Sequence, residues 1–392
     1  MVCVSIVAHV DDIPLSVSCV IVIVNYQLRR DELMPEPLKN SYNQYYIERL
    51  ANSIKTSWPA FDCELFISSV MDSEWEDKEL KARMKHISKM MHESLSLPFN
   101  RAVKILLEAG QEFGGFEGMF FPDYVEQFGE DDWELSVSAL ETLTQYSSSE
   151  FAVRPMIIRD PSKMMEVMLG WATHQNYHVR RLASEGCRPR LPWAMALPEF
   201  KHDPQLILPV LDKLKQDDSL YVRRSVANNL NDIAKDNPDV VLGWCRENIG
   251  RHSDTDWIIK HGCRTLLKQA NPEAMSLFGY ADSSSVLVEG LTIENKRLAI
   301  GDDLKFSFRV STHRGALSKL RIEYIVDYVK ANGKSSSKVF KSSESDYIQS
   351  AILFERKHSF RQMSTRKHYP GEHKLSIRVN GDIKAATHFN LH

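Results

Sequence analysis

The sequence predicts a mainly α chain: a solenoid of stacked helix pairs followed by a C-terminal immunoglobulin-like β-sandwich. Three observations carry this. Apolar residues recur at helical spacing from Tyr42 to about Leu277, a two-part motif repeats inside that stretch, and beyond Ser283 the pattern switches to period two. The 392 residues leave room for two domains. With 43% hydrophobic and 26% charged residues, the composition argues against a disordered, collagen-like or polytopic membrane chain.

Residues 1–33 read as an N-terminal extension, with Met34 as the functional start. The apolar run Pro14 to Tyr26 is too short to span a bilayer. No basic residue precedes it, Arg29 and Arg30 follow it, and no small-residue cleavage pattern comes after, so no signal peptide is expected. The six cysteines are widely spaced without a C-x-x-C pair, which predicts reduced thiols and a cytoplasmic protein. The fourteen histidines are read as lacking ligand spacing, and no phosphate-loop or G-x-S-x-G string occurs, so neither metal nor cofactor is expected.

The helical domain is expected over 34–282. Helix starts are predicted at Pro161, Pro204, Pro238 and Pro272, spaced 43, 34 and 34 residues apart, because proline in a first helical turn forfeits no hydrogen bond. A second element follows: VRP at Val153, VRRLASEG at Val179, VRRSVANN at Val222 and a degenerate IKHG at Ile259. LGW occurs twice, at 169–171 and 242–244, in the first helix of its unit. A period of about 35 to 45 residues built from two helices is the pattern of HEAT-like arrays.

The sandwich is expected over 283–392, with SSS at 283–285 as a linker. VLVEGLTI, LKFSFRVS, RIEYIVDYV, IQSAILFER and HKLSIRVNG read as strands, with turns at Asn332-Gly333 and Asn380-Gly381. Charge is divided unevenly: residues 284–392 carry 19 basic and 11 acidic side chains, net +8, whereas residues 1–283 carry 30 and 41, net −11. A basic C-terminal part, whose loops are expected to carry the basic string Arg356, Lys357, His358, Arg361, Arg366 and Lys367, points towards a polyanionic partner, or towards a basic domain that is simply soluble.

On a helical wheel Val222, Val226, Leu230 and Ile233 form a buried stripe, and Arg224, Asn228 and Asp232 share the opposite face. Arg181 and Glu185 take the matching angles one unit earlier, so Arg181, Glu185, Arg224 and Asp232 should line one groove. Arg180, Arg181, Arg188 and Arg190 cluster there with a single acid, and guanidinium groups suit bidentate phosphate contacts. Two bland readings stay open: Arg181 and Glu185 as an ordinary i,i+4 surface pair, and Trp193 as loop packing.

SSEFAVRP at 148–155, HVRRLASEGCRPRLPWA at 178–194 and SLYVRRSVANNLNDIAKDNP at 219–238 resemble the AlkC branch of the HEAT-like-repeat alkylpurine DNA glycosylases. The resemblance runs from MPEPLKN at Met34 to YPGEHKLSIRVNG near the C terminus. It implies excision of cationic N3-methylated bases, 3-methyladenine and 3-methylcytosine, from duplex DNA without base flipping. It also implies that Glu150, Glu185, Trp193 and Asp232 face the lesion. Arg154, Arg180, Arg181, Arg188, Arg190, Arg223 and Arg224 would then grip phosphates. A monomer without nucleotide cofactor or membrane contact is expected. The competing reading is a non-catalytic HEAT scaffold that binds DNA or protein.

Overall fold

The computed structural model describes residues 37–280, 282–362 and 367–392; the expected extension over 1–33 lies outside them. Sixteen α-helices precede eight strands among the described residues, as the sequence pattern predicts. No helix among them is long and apolar enough to cross a membrane. Two compact units divide between Ala139 and Leu140.

The first unit contains α1 (Gln44–Ser57), α2 (Cys63–Val70), α3 (Leu80–Leu95), α4 (Phe99–Ala109) and α5 (Phe120–Phe128), and α6 (Trp133–Leu143) carries the chain across the division. Asn43 and Asp62 cap α1 and α2, accepting from the backbone N–H groups of Tyr46 and Leu65. Ile47, Leu50 and Ile54 recur along the buried stripe of α1, and Phe66, Phe120 and Phe121 are also fully enclosed.

The second unit continues with α7 (Val153–Arg159), α8 (Pro161–Trp171), α9 (Tyr177–Glu185), α10 (Pro198–His202), α11 (Leu208–Leu214), α12 (Leu220–Ile233), α13 (Pro238–Asn248), α14 (Ser253–Gly262), α15 (Arg264–Lys268) and α16 (Pro272–Leu277). Pro161, Pro238 and Pro272 open helices as expected. Pro204 does not: the Asp203 carboxylate accepts from the Gln205 amide, this local turn competes with helix, and α11 starts four residues later. Helices α9, α12 and α14, the second members of successive pairs, pack side by side. The two LGW strings explain part of the repeat. Trp171 and Trp244 are both buried, and each donates its indole N–H to a carboxylate of an earlier helix in the same unit, Glu141 at 2.6 Å and Asp212 at 3.0 Å.

The sandwich pairs a three-stranded sheet, ordered β1-β3-β6, with a five-stranded sheet, ordered β2-β8-β7-β4-β5. The strands are β1 (Val286–Ile293), β2 (Arg297–Leu298), β3 (Asp303–Thr312), β4 (Ser318–Val329), β5 (Ser335–Tyr347), β6 (Ala351–Ser359), β7 (Gly371–Val379) and β8 (Asp382–Leu391). Phe306, Phe308, Val310, Ile322, Val326, Leu375, Ile377 and Phe389 form its core. Asn380 and Gly381 both take positive φ, 46° and 97°, as a two-residue hairpin turn requires.

Two expectations for this half are corrected. Ser283 is buried rather than part of a loose linker: its hydroxyl donates to Asp382, and its carbonyl accepts from Lys384. Helices and sandwich are further joined by a ladder of charges. Lys260 on α14 and Tyr280 both bond Glu344 on β5; Arg321 bridges Glu344 and Glu323; Arg378 bonds Glu323 and donates to the Lys268 carbonyl at 2.7 Å. Burial pushes the Glu344 carboxyl up, but hydrogen bonds from Lys260 and Tyr280 and the charges of Lys260 and Arg321 outweigh it and bring it down to about 2. The basic string from Arg356 is not a loop either. Arg356, Lys357 and His358 lie in β6, where Lys357 pairs with Asp303 and His358 is buried against the hydroxyls of Tyr324 and Tyr328.

Candidate active site

Asn176 caps α9 by accepting from the His178 amide, and Val179, Leu182 and Ala183 face the core. That orientation sends Arg181 and Glu185 together to the far side, one turn apart. On α12 the same logic turns Val222, Val226, Leu230 and Ile233 inward and leaves Asp232 beside Glu185's end of α9. A polar seam lies beneath them. The Ser184 and Ser225 hydroxyls meet at 2.6 Å, and the Asn229 amide donates to the Ser184 carbonyl at 2.7 Å and to the Cys187 sulfur at 3.3 Å.

Above the seam the charged side chains form one alternating ladder. Glu150, in the turn before α7, pairs with Arg181; Arg181 reaches Glu185 at 3.4 Å; Arg188 bonds Glu185 at 2.5 Å and Asp232 at 2.8 Å; and Lys235 closes on Asp232 at 2.8 Å. Ser148 braces the start, donating to Glu150 and accepting from Arg181. Burial lowers the affinity of Arg181 and Arg188 for their protons, yet Glu185 with Glu150, and Glu185 with Asp232, hold both guanidinium groups above their ordinary values. Tyr221 lies 4.9 Å from the Arg181 guanidinium, ring face towards it. Glu185 is 5% and Asp232 2% exposed, deeper than an open groove wall would place them. The loop after α9 lays Arg188 across both, which the helical wheel could not reveal. Arg181 and Glu185 are thus more than a surface pair.

Trp193, at the tip of the segment between α9 and α10, is 69% exposed and holds φ at +65°, a conformation that β-carbon-bearing residues rarely adopt. Loop packing does not account for it.

The expected phosphate-binding arginines separate into groups. Arg154 is fully buried and donates to three backbone carbonyls, so it cannot reach a phosphate. The first arginine of each VRR string is a staple between repeats. Arg180 makes a two-pronged bond to Asp217 and also donates to the His174 and Gln175 carbonyls. Arg223 repeats this one unit on, with Asp254 and the carbonyls of Asp217 and Asp218. Arg190 grips Asp236 through two hydrogen bonds. Arg224, the second arginine of its VRR string, is exposed and has no carboxylate partner among the described residues. Sequence reasoning missed Arg264, half-buried and donating to Asn228 on the same side of α12; only the degenerate fourth element, IKHG, pointed there.

Other chemistry is poorly served. Burial pushes the Cys187 thiol up to about 12, which keeps it a neutral thiol. Contrary to the sequence reading, two histidine pairs, His174/His178 and His388/His392, do stand four apart. His174 accepts from the Asn176 amide and the His178 ring packs at a tilt against Tyr177; no group of three or more His, Cys, Asp or Glu among the described residues could hold a metal ion.

Residues 287–392 match the family described as "Uncharacterised protein YhaZ, C-terminal Ig-like domain". The YhaZ protein of Bacillus subtilis is 45% identical over 355 residues, which cover 90% of this chain and 99% of that protein. The alkylpurine DNA glycosylase AlkC of Pseudomonas fluorescens, solved with DNA containing an abasic site analogue, is 35% identical and superposes with a TM-score of 0.88 over 91% of this chain and 99% of that one. The chain belongs to the AlkC family of DNA glycosylases. Because both relatives are covered almost end to end, the helical region and the sandwich are shared with them.

Proposed function

We propose that this AlkC-family chain hydrolyses the N-glycosidic bond of cationic N3-alkylated bases in duplex DNA, 3-methyladenine and also 3-methylcytosine, without flipping the base into a pocket. The observation that carries the reading is the gathering of Glu150, Glu185 and Asp232 in one ladder, in the same segment of chain as an exposed, conformationally strained tryptophan.

The chemistry asks for little acid catalysis. An N3-methylated base is already cationic, so it leaves as a neutral molecule when the bond to C1′ breaks with its electron pair. Positive charge then develops on the deoxyribose. Carboxylates at Glu185 and Asp232, in a site where water is scarce, favour that charge in the transition state over the ground state. A water oxygen adds to C1′ and its proton passes to a carboxylate. Trp193 offers its ring face to the cationic base or sugar, worth about 0.5 to 2 kcal/mol. Each tenfold acceleration takes about 1.36 kcal/mol, so two or three such contacts supply several powers of ten.

Arg224 and the outer edge of Arg181 are assigned the phosphates. Domain limits follow the same reading: a glycosylase domain over 34–282 and a sandwich over 283–392 that helps to hold the duplex, as its net charge of +8 favours. Monomeric action on alkylated DNA, with water and no cofactor, completes it. The test is release of methylated base from N-methylated duplex DNA by wild type, Glu185→Gln and Asp232→Asn. Release that collapses in the two variants while DNA affinity holds supports the reading. Binding without release by wild type favours the non-catalytic scaffold.

A further inference from the structure

We propose that Arg154 is a positioning residue: its guanidinium clasps both ends of the 186–195 loop, and so sets Arg188 between the two buried carboxylates and Trp193 at the loop's exposed tip. The inference rests on the reading of that ladder as the active site.

Three hydrogen bonds define the clasp. Nη1 donates to the carbonyls of Gly186 at 2.8 Å and Arg188 at 3.0 Å, and Nε donates to the carbonyl of Met195 at 2.7 Å. Gly186 directly follows α9, Arg188 carries the bridging guanidinium, and Met195 lies two residues past Trp193. One side chain therefore closes a ten-residue loop across its base. The loop has few internal ties of its own: Ala194 donates to the Leu191 carbonyl at 3.3 Å and Leu197 to the Pro189 carbonyl at 3.2 Å, both long. Yet Trp193 is held at φ +65°, a conformation that persists only where the surroundings impose it.

The cost of Arg154 points the same way. It is 0% exposed and has no carboxylate within ion-pairing distance among the described residues, and desolvation draws its guanidinium down to about 10. An unpaired buried cation is a poor choice for stability alone, since an apolar side chain of similar volume packs at less expense. A guanidinium fork supplies what an apolar group cannot, three fixed N–H vectors for three carbonyls. Arg154 also stands four residues after Glu150, so the residue that shapes the loop is carried by the segment that delivers the third acid of the ladder.

The test uses the full chain, with Arg154→Lys and Arg154→Met compared in wild-type, Trp193→Phe and Trp193→Ala backgrounds. The first readout needs no activity: the Trp193 fluorescence anisotropy of DNA-free protein, isolated by subtracting the Trp193→Phe signal, falls in both Arg154 variants. The second is single-turnover base release, which falls about 10- to 100-fold in both. Duplex affinity and its salt slope stay at the wild-type values. Lysine fails nearly as badly as methionine because it keeps the charge and loses the fork, and either substitution costs less in the Trp193→Ala background than in wild type. The proposal is overturned by unchanged Trp193 anisotropy, by full rescue with lysine, by equal losses in both backgrounds, or by a salt slope reduced by about 0.9, the signature of a lost phosphate contact. If Arg154→Met does not fold, Arg154→Lys decides alone on the same readouts. If wild type releases no base, the enzymatic reading fails while the anisotropy arm still decides the clasp.

Discussion

Two ladders of alternating acids and bases run through the second unit. One, Glu150–Arg181–Glu185–Arg188–Asp232, lies on α9, α12 and the loop between repeats; the other, Lys260–Glu344–Arg321–Glu323–Arg378, joins the last helices to the sandwich. They use the same residue types at similar depth. They differ at their ends. The joint ladder finishes on the Lys268 carbonyl and is sealed by Tyr280, whereas the first is capped by a half-exposed Lys235 and overhung by a loop that presents Trp193 to solvent. A buried ion-pair ladder is therefore not in itself the mark of a site. What sets the first ladder apart from the second is an open edge and conformational strain held beside it.

That contrast is broken most directly at the carboxylates. Glu185→Gln and Asp232→Asn are expected to slow base release about 100- to 1000-fold, the scale on which removing one electrostatic stabiliser acts. DNA affinity should change little, because loss of a negative charge does not weaken attraction to a polyanion. Single-turnover release and duplex binding check both halves; unchanged release in both variants would refute the electrostatic mechanism.

Glu323→Gln should give the converse. It takes from Arg378 its carboxylate and from Arg321 one of two at a buried joint, for an expected loss of about 3 kcal/mol of stability, read by denaturant unfolding. Base release by the protein that remains folded should stay within about threefold of wild type.

A smaller effect separates the paired arginines. Arg224→Ala should weaken duplex binding and flatten the salt dependence by about 0.9, as one lost phosphate contact does. Arg180→Ala should leave that slope alone and lower the melting temperature instead, since its partners are Asp217 and two backbone carbonyls. Equal salt slopes in the two variants would erase the distinction.

The smallest concerns pH. Glu344 is held at about 2 in the folded protein against 4.5 for the free carboxyl. Between those values the unfolded chain binds the extra proton, so stability rises with pH across that window. The contribution is complete above about pH 4.5 and disappears as pH falls through 2. Glu344→Gln should therefore show a shallower loss of stability between pH 4.5 and 2, followed by acid titration of unfolding.

Much of the fold was legible because it is periodic. The repeat spacing anticipated the helix pairs, and alternation anticipated β1, β3, β4, β6 and β7. Strand β5 was missed since an edge strand such as SSSKVFKSSESDY buries no regular apolar face. The joint ladder was invisible for a related reason: Arg321 and Glu323 stand two apart on β4, and period two assigns such a pair to solvent until something covers that face. For the site, the wheel brought Glu185 and Asp232 together but could not foresee Arg188 crossing between them, because a loop has no period. Glu150 and Trp193 came from resemblance alone. Nor could VRR disclose that its two arginines have different tasks, the first stapling repeats and the second joining the ladder at Arg181 or facing outward at Arg224.

The seam of Ser184, Ser225 and Asn229 beneath the ladder has a consequence for how a repeat array keeps its place. Apolar stripes of valine, alanine and leucine tolerate neighbouring registers, since one methyl group fills a gap much as another does. Sliding α12 by one residue along α9 would shift it 1.5 Å and turn it about 100°. The seam's hydroxyl and amide would then be buried without partners, at about 1 to 3 kcal/mol each. These three side chains act as a key in a keyway, indexing one helix against the next. The span from Glu185 to Asp232 is thus gauged from below, by buried neutral groups rather than by the charges above them.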